Sequence, residues 1–242
     1  MMSALAPSGT PLVFVPGLLN DERLWQDQRV ALSDLGETFV ADTLQDDSIG
    51  AMAARLLDEA PAGPFVLIGL SMGGYVAFEV VRQAPDRVAA LALFDTTAAP
   101  DPPSRRAARE MGLKSLAAGR FQGVTDRLLP KLVDARHLDG PVGDEVKVMA
   151  RRVGGEAFVR QQTAIIGRVD SRPLLPQITA PTLVAVGDRD QLTPPAEAVA
   201  MFRELPRPAF HLFHRCGHLP PLEKPEETSE LLRRWLAGEL PA

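Results

Sequence analysis

The sequence is short of several things, and each shortage excludes something. It has one cysteine, Cys216, among 242 residues, so no disulfide can form within the chain, and the expected compartment is a reducing cytoplasm. It has no run of ~18 apolar residues, which excludes a membrane-spanning helix from the reading. Its first residues, "MMSALAPSGTPLVFVPG", lack the basic start of a secretion signal, and their short apolar run reads as a strand. There is no excess of positive charge: the net charge is −5. The expected partners therefore include neither nucleic acid nor an anionic membrane. The four histidines, His137, His211, His214 and His218, do not pair with cysteine at metal-ligand spacing. A zinc site is not expected, and no cofactor is called for.

What is present is alternation. Short apolar runs at 11–17, 37–43, 64–70, 88–96, 181–188 and 209–214 read as strands. Stretches of helical spacing at 22–36, 48–60, 72–85, 195–205 and 224–238 separate them. Continuous apolar strands are buried on both faces, which implies a mostly parallel sheet covered by helices. The alternation lapses between residues 98 and 177. That segment opens on the proline-rich "APDPP" and is helical in pattern. It carries 14 Lys/Arg against 9 Asp/Glu, a balance of +5, whereas the remainder carries 12 against 22, a balance of −10. The expected organisation is one α/β core, residues 1–97 and 178–242, with a basic helical insertion, 98–177. An insertion that follows a parallel strand emerges at the carboxyl edge of the sheet, where such sheets bind ligands, so it is expected to act as a lid.

One motif gives the chemistry a direction. In "FVLIGLSMGG" (65–74) a strand runs into Gly69-Leu70-Ser71-Met72-Gly73 and then a helix. G-x-S-x-G in that setting is a turn tight enough to demand small neighbours, Gly69 and Gly73, and it presents the serine hydroxyl above a helix N-terminus. A plain strand-to-helix turn is the bland alternative. A serine needs a base and an orienting carboxylate to become a nucleophile. His218, just past the last strand in "RCGHLPPLEKPEE" (215–227), is the candidate base. His211 and His214 lie in the strand itself and are read as structural, and His137 as solvent-exposed. The acid lies among Asp190, Asp95 and Asp188, each at the end of a strand, and the residues alone barely separate them. Two backbone N–H groups must also receive a developing oxyanion. Met72, after the nucleophile, supplies one, and Leu18, after Gly17 in "VPGLLNDERLW" (15–25), the other; that turn also reads as an ordinary helix start capped by Asn20 or Asp21. Leu18 and Met72 are held near the site by position, and Leu19 and Tyr75 are further candidates to line a substrate pocket. Trp25 and Cys216 read as core.

Taken together, "PGLL", "GLSMGG", "GDRDQLTP" and "GHLPPLEKPEE" resemble the α/β-hydrolase superfamily along nearly the whole chain. The resemblance implies a central sheet of about six strands, with the usual N-terminal hairpin shortened or absent because only about ten residues precede the first strand. It implies a Ser71–Asp190–His218 triad, since the family's acid stands fourth in G-x-x-D, here Gly187 to Asp190, with Asp95 as the alternative. Where many relatives have His-Gly in the oxyanion loop, this chain has Pro16-Gly17. The implied activity is hydrolysis of a small ester or similar acyl compound by a monomer or homodimer. A C–C bond hydrolase, a lyase or a perhydrolase could use the same triad, and a ligand-binding relative with residual hydrolysis is the alternative outside enzymes. The insertion's arginines, Arg151, Arg152, Arg160, Arg168 and Arg172, are candidates to receive a substrate carboxylate, or else are solvated or paired with the acidic core.

Overall fold

The computed structural model describes residues 4–117, 121 and 123–240. Residues 1–3 and 241–242 of the expected core, and 118–120 and 122 of the expected insertion, lie outside the described residues. Six strands form one fully parallel sheet: β1 (Gly9–Val15), β2 (Gly36–Val40), β3 (Phe65–Leu70), β4 (Val88–Phe94), β5 (Thr182–Gly187) and β6 (Pro208–Phe213). Their order is β2-β1-β3-β4-β5-β6. The helices are α1 (Gln26–Ala31), α2 (Ile49–Glu59), α3 (Met72–Gln83), α4 (Pro103–Ala117), α5 (Leu129–Leu132), α6 (Pro141–Gly167), α7 (Pro195–Glu204), α8 (Pro220–Glu223) and α9 (Pro225–Leu236). None of them is long and apolar enough to cross a membrane.

Strand alternation builds two cores. Leu12, Phe14, Val66, Ile68, Ala92 and Phe94 face one side and pack with α9 and α6 residues, while Val13, Val15, Leu67, Leu91 and Leu93 face the other and pack with α2, α3 and α7 residues. Every residue of β3 and β5 is buried, as strands sandwiched between helix layers must be. Aromatic rings bridge the first core: Phe14–Trp25, Trp25–Phe94 and Phe94–Phe213 have centroids 5.3, 5.7 and 6.2 Å apart. Offset and edge contacts of this kind add roughly 0.5–1.5 kcal/mol each beyond burial.

The expected first helix, 22–36, is shorter than its pattern. A 3-10 turn, Glu22–Trp25, precedes α1, which ends at Ala31. The Asp21 side chain caps the turn by accepting the Arg23 N–H. Ser33 turns its hydroxyl back onto the Val30 carbonyl, so the local polar side chain competes with continued helix, while Leu32 and Leu35 fold inward. The segment between β4 and β5 is helical, as its pattern implies. Its long helix α6 is broken at Gly154, which has φ +76°.

β1 lies between β2 and β3, so successive connections leave it in opposite directions. That reversal opens a crevice at the carboxyl edge, beside the loops that follow β1 and β3.

Candidate active site

The carboxyl edge is where the backbone is strained. Among the described residues, four that are not glycine have positive φ: Leu19 (60°), Ser71 (56°), Asp95 (44°) and Arg215 (52°). Each lies just after a strand, β1, β3, β4 and β6 in turn. Left-handed backbone costs a residue with a side chain roughly 1–2 kcal/mol, so such positions persist only where the surroundings hold them.

At Ser71 the surroundings are visible. Its N–H donates to Phe94 C=O at 3.0 Å, and its C=O accepts from Gly74 N–H at 2.9 Å and from the Thr96 hydroxyl at 2.8 Å. The glycines around it are required by close approach. A Cβ on Gly69 would lie 2.4 Å from Gly73 O, and one on Gly73 2.1 Å from Val15 O. The backbones of β1, β3 and α3 are therefore in contact. Ser71 itself begins α3 without spending its side chain on a cap.

His218 follows β6 and is 3% exposed. Its Nδ1 lies 2.8 Å from Asp190 Oδ2. Asp190, at the end of β5, also accepts from the N–H groups of Leu192 and Thr193 and from the Thr193 hydroxyl at 2.7 Å. Burial raises the pKa of Asp190, but the imidazole and these donors outweigh it and hold the carboxyl below the ordinary range. Asp95 is different. Its Oδ1 accepts one N–H, from Gly187 at 2.9 Å, and no donor among the described residues reaches its buried Oδ2. Burial, and then the charge of Asp190, push its carboxyl well above the ordinary range. Of the two adjacent acids, the surroundings favour the charged form of Asp190 and the neutral form of Asp95. Ligating atoms of Asp95, Asp190 and His218 lie within 4.8 Å of one another, the one such grouping among the described residues. A metal there would compete with the four donors already on Asp190. Asp188 lies apart, accepting Cys216 N–H and facing His214 at 3.6 Å.

The loop after β1 is held from above. Leu19 N–H donates to the Gln161 side chain of α6 at 3.1 Å, and Asn20 N–H to Gly17 C=O. These bonds leave the amides of Leu18 and Met72 without an acceptor among the described residues. Ser71, His218, Leu18, Leu19 and Tyr75 line one cavity of about 520 Å³, roofed by α4, α5 and α6. That is within the usual range for small-molecule sites.

Two expectations need correcting, and the insertion's arginines follow the paired alternative. The Met72 side chain does not line the cavity; it is fully buried in the core beneath, because the first residue of α3 points into the sheet. His137 is half-buried and its Nε2 has no partner among the described residues, since its 3-10 turn is pinned beneath the loop that carries His218. Arg152 pairs with Asp21 and Glu145, Arg172 with Asp170, and Arg160 donates to Leu44 C=O. Among the described residues, the arginines lining the cavity are Arg105 and Arg109 of α4.

Two supporting residues escaped sequence reasoning. Gln161 is one. The other is Glu223, buried in α8, whose carboxylate accepts from Asp134 N–H at 2.7 Å, Gly217 N–H at 3.0 and 3.1 Å, and Leu219 N–H at 3.2 Å. It brackets His218 and ties that loop to the insertion, as does His218 N–H donating to Leu132 C=O at 2.8 Å. A lone acid inside "LPPLE" and a Gln-Gln pair on an otherwise apolar helix face were the signals available.

Comparison with known proteins agrees with this architecture. Residues 12–231 match the profile of the Alpha/beta hydrolase family. A pimeloyl-[acyl-carrier protein] methyl ester esterase of Nitrosomonas europaea is 31% identical over 194 residues, covering 75% of this chain and 74% of that protein. One from Neisseria meningitidis serogroup C is 27% identical over 221 residues, covering 88% and 84%. A malate-bound thermophilic esterase from Thermogutta terrifontis superposes with a TM-score of 0.84 at 31% identity, over 96% of this chain and 90% of that one.

Proposed function

The chain belongs to the alpha/beta hydrolase family and is a hydrolase of esterase-like type, and from that premise we propose that it cleaves a small carboxylic ester through an acyl-enzyme formed on Ser71. His218 takes the Ser71 proton as Oγ attacks the ester carbonyl. Asp190 fixes the imidazole by its Nδ1 and stabilises the imidazolium. The oxyanion is received by the N–H groups of Leu18 and Met72, two donors fixed before the reaction begins. His218 then passes the proton to the leaving alcohol. It next activates water, and the acid departs. The observation that carries this reading is the 2.8 Å contact between His218 Nδ1 and a fully satisfied Asp190, in a cavity that also exposes a strained Ser71. Asp95, whose surroundings favour its neutral form, is the weaker candidate for the acid.

The helices between β4 and β5 act as a lid in this reading. They supply most of the cavity roof, and their bond from Gln161 to Leu19 N–H links the lid to the oxyanion loop. No organic cofactor or metal enters the scheme.

The test is turnover of p-nitrophenyl esters from acetate to octanoate by wild type, Ser71→Ala and Asp190→Asn. Ser71→Ala should lose about 10⁴-fold or more in kcat. Retained turnover in Ser71→Ala would overturn the nucleophile assignment. Asp190→Asn should fall well below Asp95→Asn, and the reverse order would transfer the orienting role to Asp95.

A further inference from the structure

The cavity above Ser71 is not evenly charged. Among the described residues lining it are three cations, Arg105, Arg109 and Lys131, and no carboxylate. Most of the other lining side chains are apolar, such as Leu128, Val146, Phe158 and Ile165. Positive charge facing an apolar cavity is costly unless something negative answers it.

The protein's own acids answer it only in part. Behind the cavity wall, Asp101 is 5% exposed in its side chain and is shared by three guanidinium groups. Arg109 Nε lies at 2.6 Å, Arg168 Nη2 at 2.9 Å and Arg105 Nη1 at 3.9 Å. Arg105 also reaches Glu197 at 3.0 Å. Three arginines thus meet two carboxylates, an excess of one positive charge. Burial raises the Asp101 carboxyl, but Arg168 and Arg109 more than reverse this and keep it below the ordinary range, so Asp101 is fully charged and still insufficient. Arg109 gives Nε to Asp101 and Nη1 to Gln162, which leaves its Nη2 without an acceptor among the described residues. Lys131, exposed on α5, also has none.

The cluster sits a definite distance from the reacting serine. Tyr75 lies one helical turn beyond Ser71 on α3, a rise of about 6 Å, and the Arg168 guanidinium stacks over its ring at 4.3 Å. A substrate whose ester carbonyl is at Ser71 would place a group several carbons away beside Arg109 and Arg105.

We propose that this end of the cavity binds a carboxylate carried by the substrate, so that the preferred esters are those with a free acid group several carbons from the scissile bond; this rests on the esterase reading above. An arginine with an uncommitted N–H edge is suited to a carboxylate, and the apolar wall between it and Ser71 suits the intervening methylenes.

The experiment compares monomethyl adipate with methyl hexanoate, which share a six-carbon acyl chain and differ in the terminal acid. The glycolic acid ester of hexanoate, with its acid on the alcohol side, is the third substrate. Monomethyl adipate should show at least tenfold higher kcat/KM than methyl hexanoate at low salt. The advantage should shrink in 0.5 M NaCl and largely vanish in Arg109→Met, while Arg109→Lys retains part of it. An advantage confined to the glycolate ester, whose acid lies one methylene from the ester oxygen, would place the carboxylate site beside the reacting centre and overturn the proposal. Because Arg109 supports buried Asp101, Arg105→Gln, at a more exposed position, provides a second variant expected to weaken the preference several-fold. Equal or better turnover of methyl hexanoate than of both acids, or a preference unchanged in both arginine variants, overturns the proposal. If no ester is turned over, the esterase reading falls by itself. Calorimetric titration of Ser71→Ala with adipate and with hexanamide then decides the anion site: tighter adipate binding that Arg109→Met removes upholds it, and equal binding refutes it.

Discussion

Glu223 offers the sharpest quantitative test of how the histidine loop is held. Its carboxylate is 6% exposed and takes four hydrogen bonds from three backbone amides, those of Asp134, Gly217 and Leu219. Glu223→Ala leaves all three donors without their acceptor. A buried unpaired donor costs about 1–3 kcal/mol, so three would cost up to about 9 kcal/mol if none were re-satisfied. Water entering the vacated space will satisfy some of them. Burial also pushes the Glu223 carboxyl above its ordinary range, so the variant escapes part of the cost of a buried charge. The expected net loss is about 4 kcal/mol, a large share of the roughly 5–15 kcal/mol that holds a domain together. In a chain of this size that lowers the melting temperature by roughly 8–16 °C. Glu223→Gln keeps one carbonyl acceptor but turns an NH₂ toward an amide, and should lose roughly half as much. Because Gly217 and Leu219 flank His218, kcat should fall further than KM rises in both variants, read at a temperature where each is folded. A Glu223→Ala protein that melts within about 2 °C of wild type would show that the loop is held by other contacts and would refute the reasoning.

Other outcomes follow from the same geometry. Gly187→Ala would put a Cβ 1.9 Å from Gly217 O, forcing apart the loops that carry Asp190 and His218; denaturant titration should show a loss of about 4 kcal/mol or more. Gln161→Leu strips the acceptor from Leu19 N–H and a donor from Thr43 C=O; it should cost about 2–4 kcal/mol and lower kcat by loosening the loop proposed to receive the oxyanion, measured by urea unfolding and ester turnover. Asp134 is held at about 2 because, although burial opposes its charge, hydrogen bonds from Arg136 and the charges of Arg189 and Arg136 outweigh it. Its folded value lies below its unfolded one, so its contribution is complete above about pH 4 and is lost as pH falls toward 2; Asp134→Asn should flatten the stability profile across that window.

The sheet was legible because its strands are unbroken apolar runs between helical patterns, and that signal survives without tertiary information. Ser71 was legible because its turn needs glycines at fixed positions. The three candidate aspartates were harder. All lie at carboxyl ends of β4 and β5, so sequence position places each near the edge, and only the surroundings of each carboxyl separate Asp190, whose charge is favoured, from Asp95, whose charge is not. Which arginines meet the cavity was not legible for a related reason. Which face of α4 or α6 meets the cavity depends on how the helices pack, and α6 turns its register at Gly154. Helical spacing shows which residues share a face but not what that face meets. Glu223 and Gln161 act through backbone amides far away in sequence, a relation that leaves almost no mark on composition or spacing.

The four left-handed residues give the molecule a polarity in its tolerance of change. All of them lie past the carboxyl ends of strands, so that edge is where packing is already working against local preference. Substitutions that relax it, such as glycine at Arg215, would strengthen the fold, yet at Leu19 or Ser71 the same relief would release the geometry proposed to aim the reacting groups. The opposite edge bears no such tension among its described non-glycine residues. Efforts to harden this protein against heat therefore have their freest ground there, away from the chemistry, while changes of substrate preference belong to the helices that close over the strained side. Stability and specificity can then be altered at opposite ends of one sheet, with little need to trade one against the other.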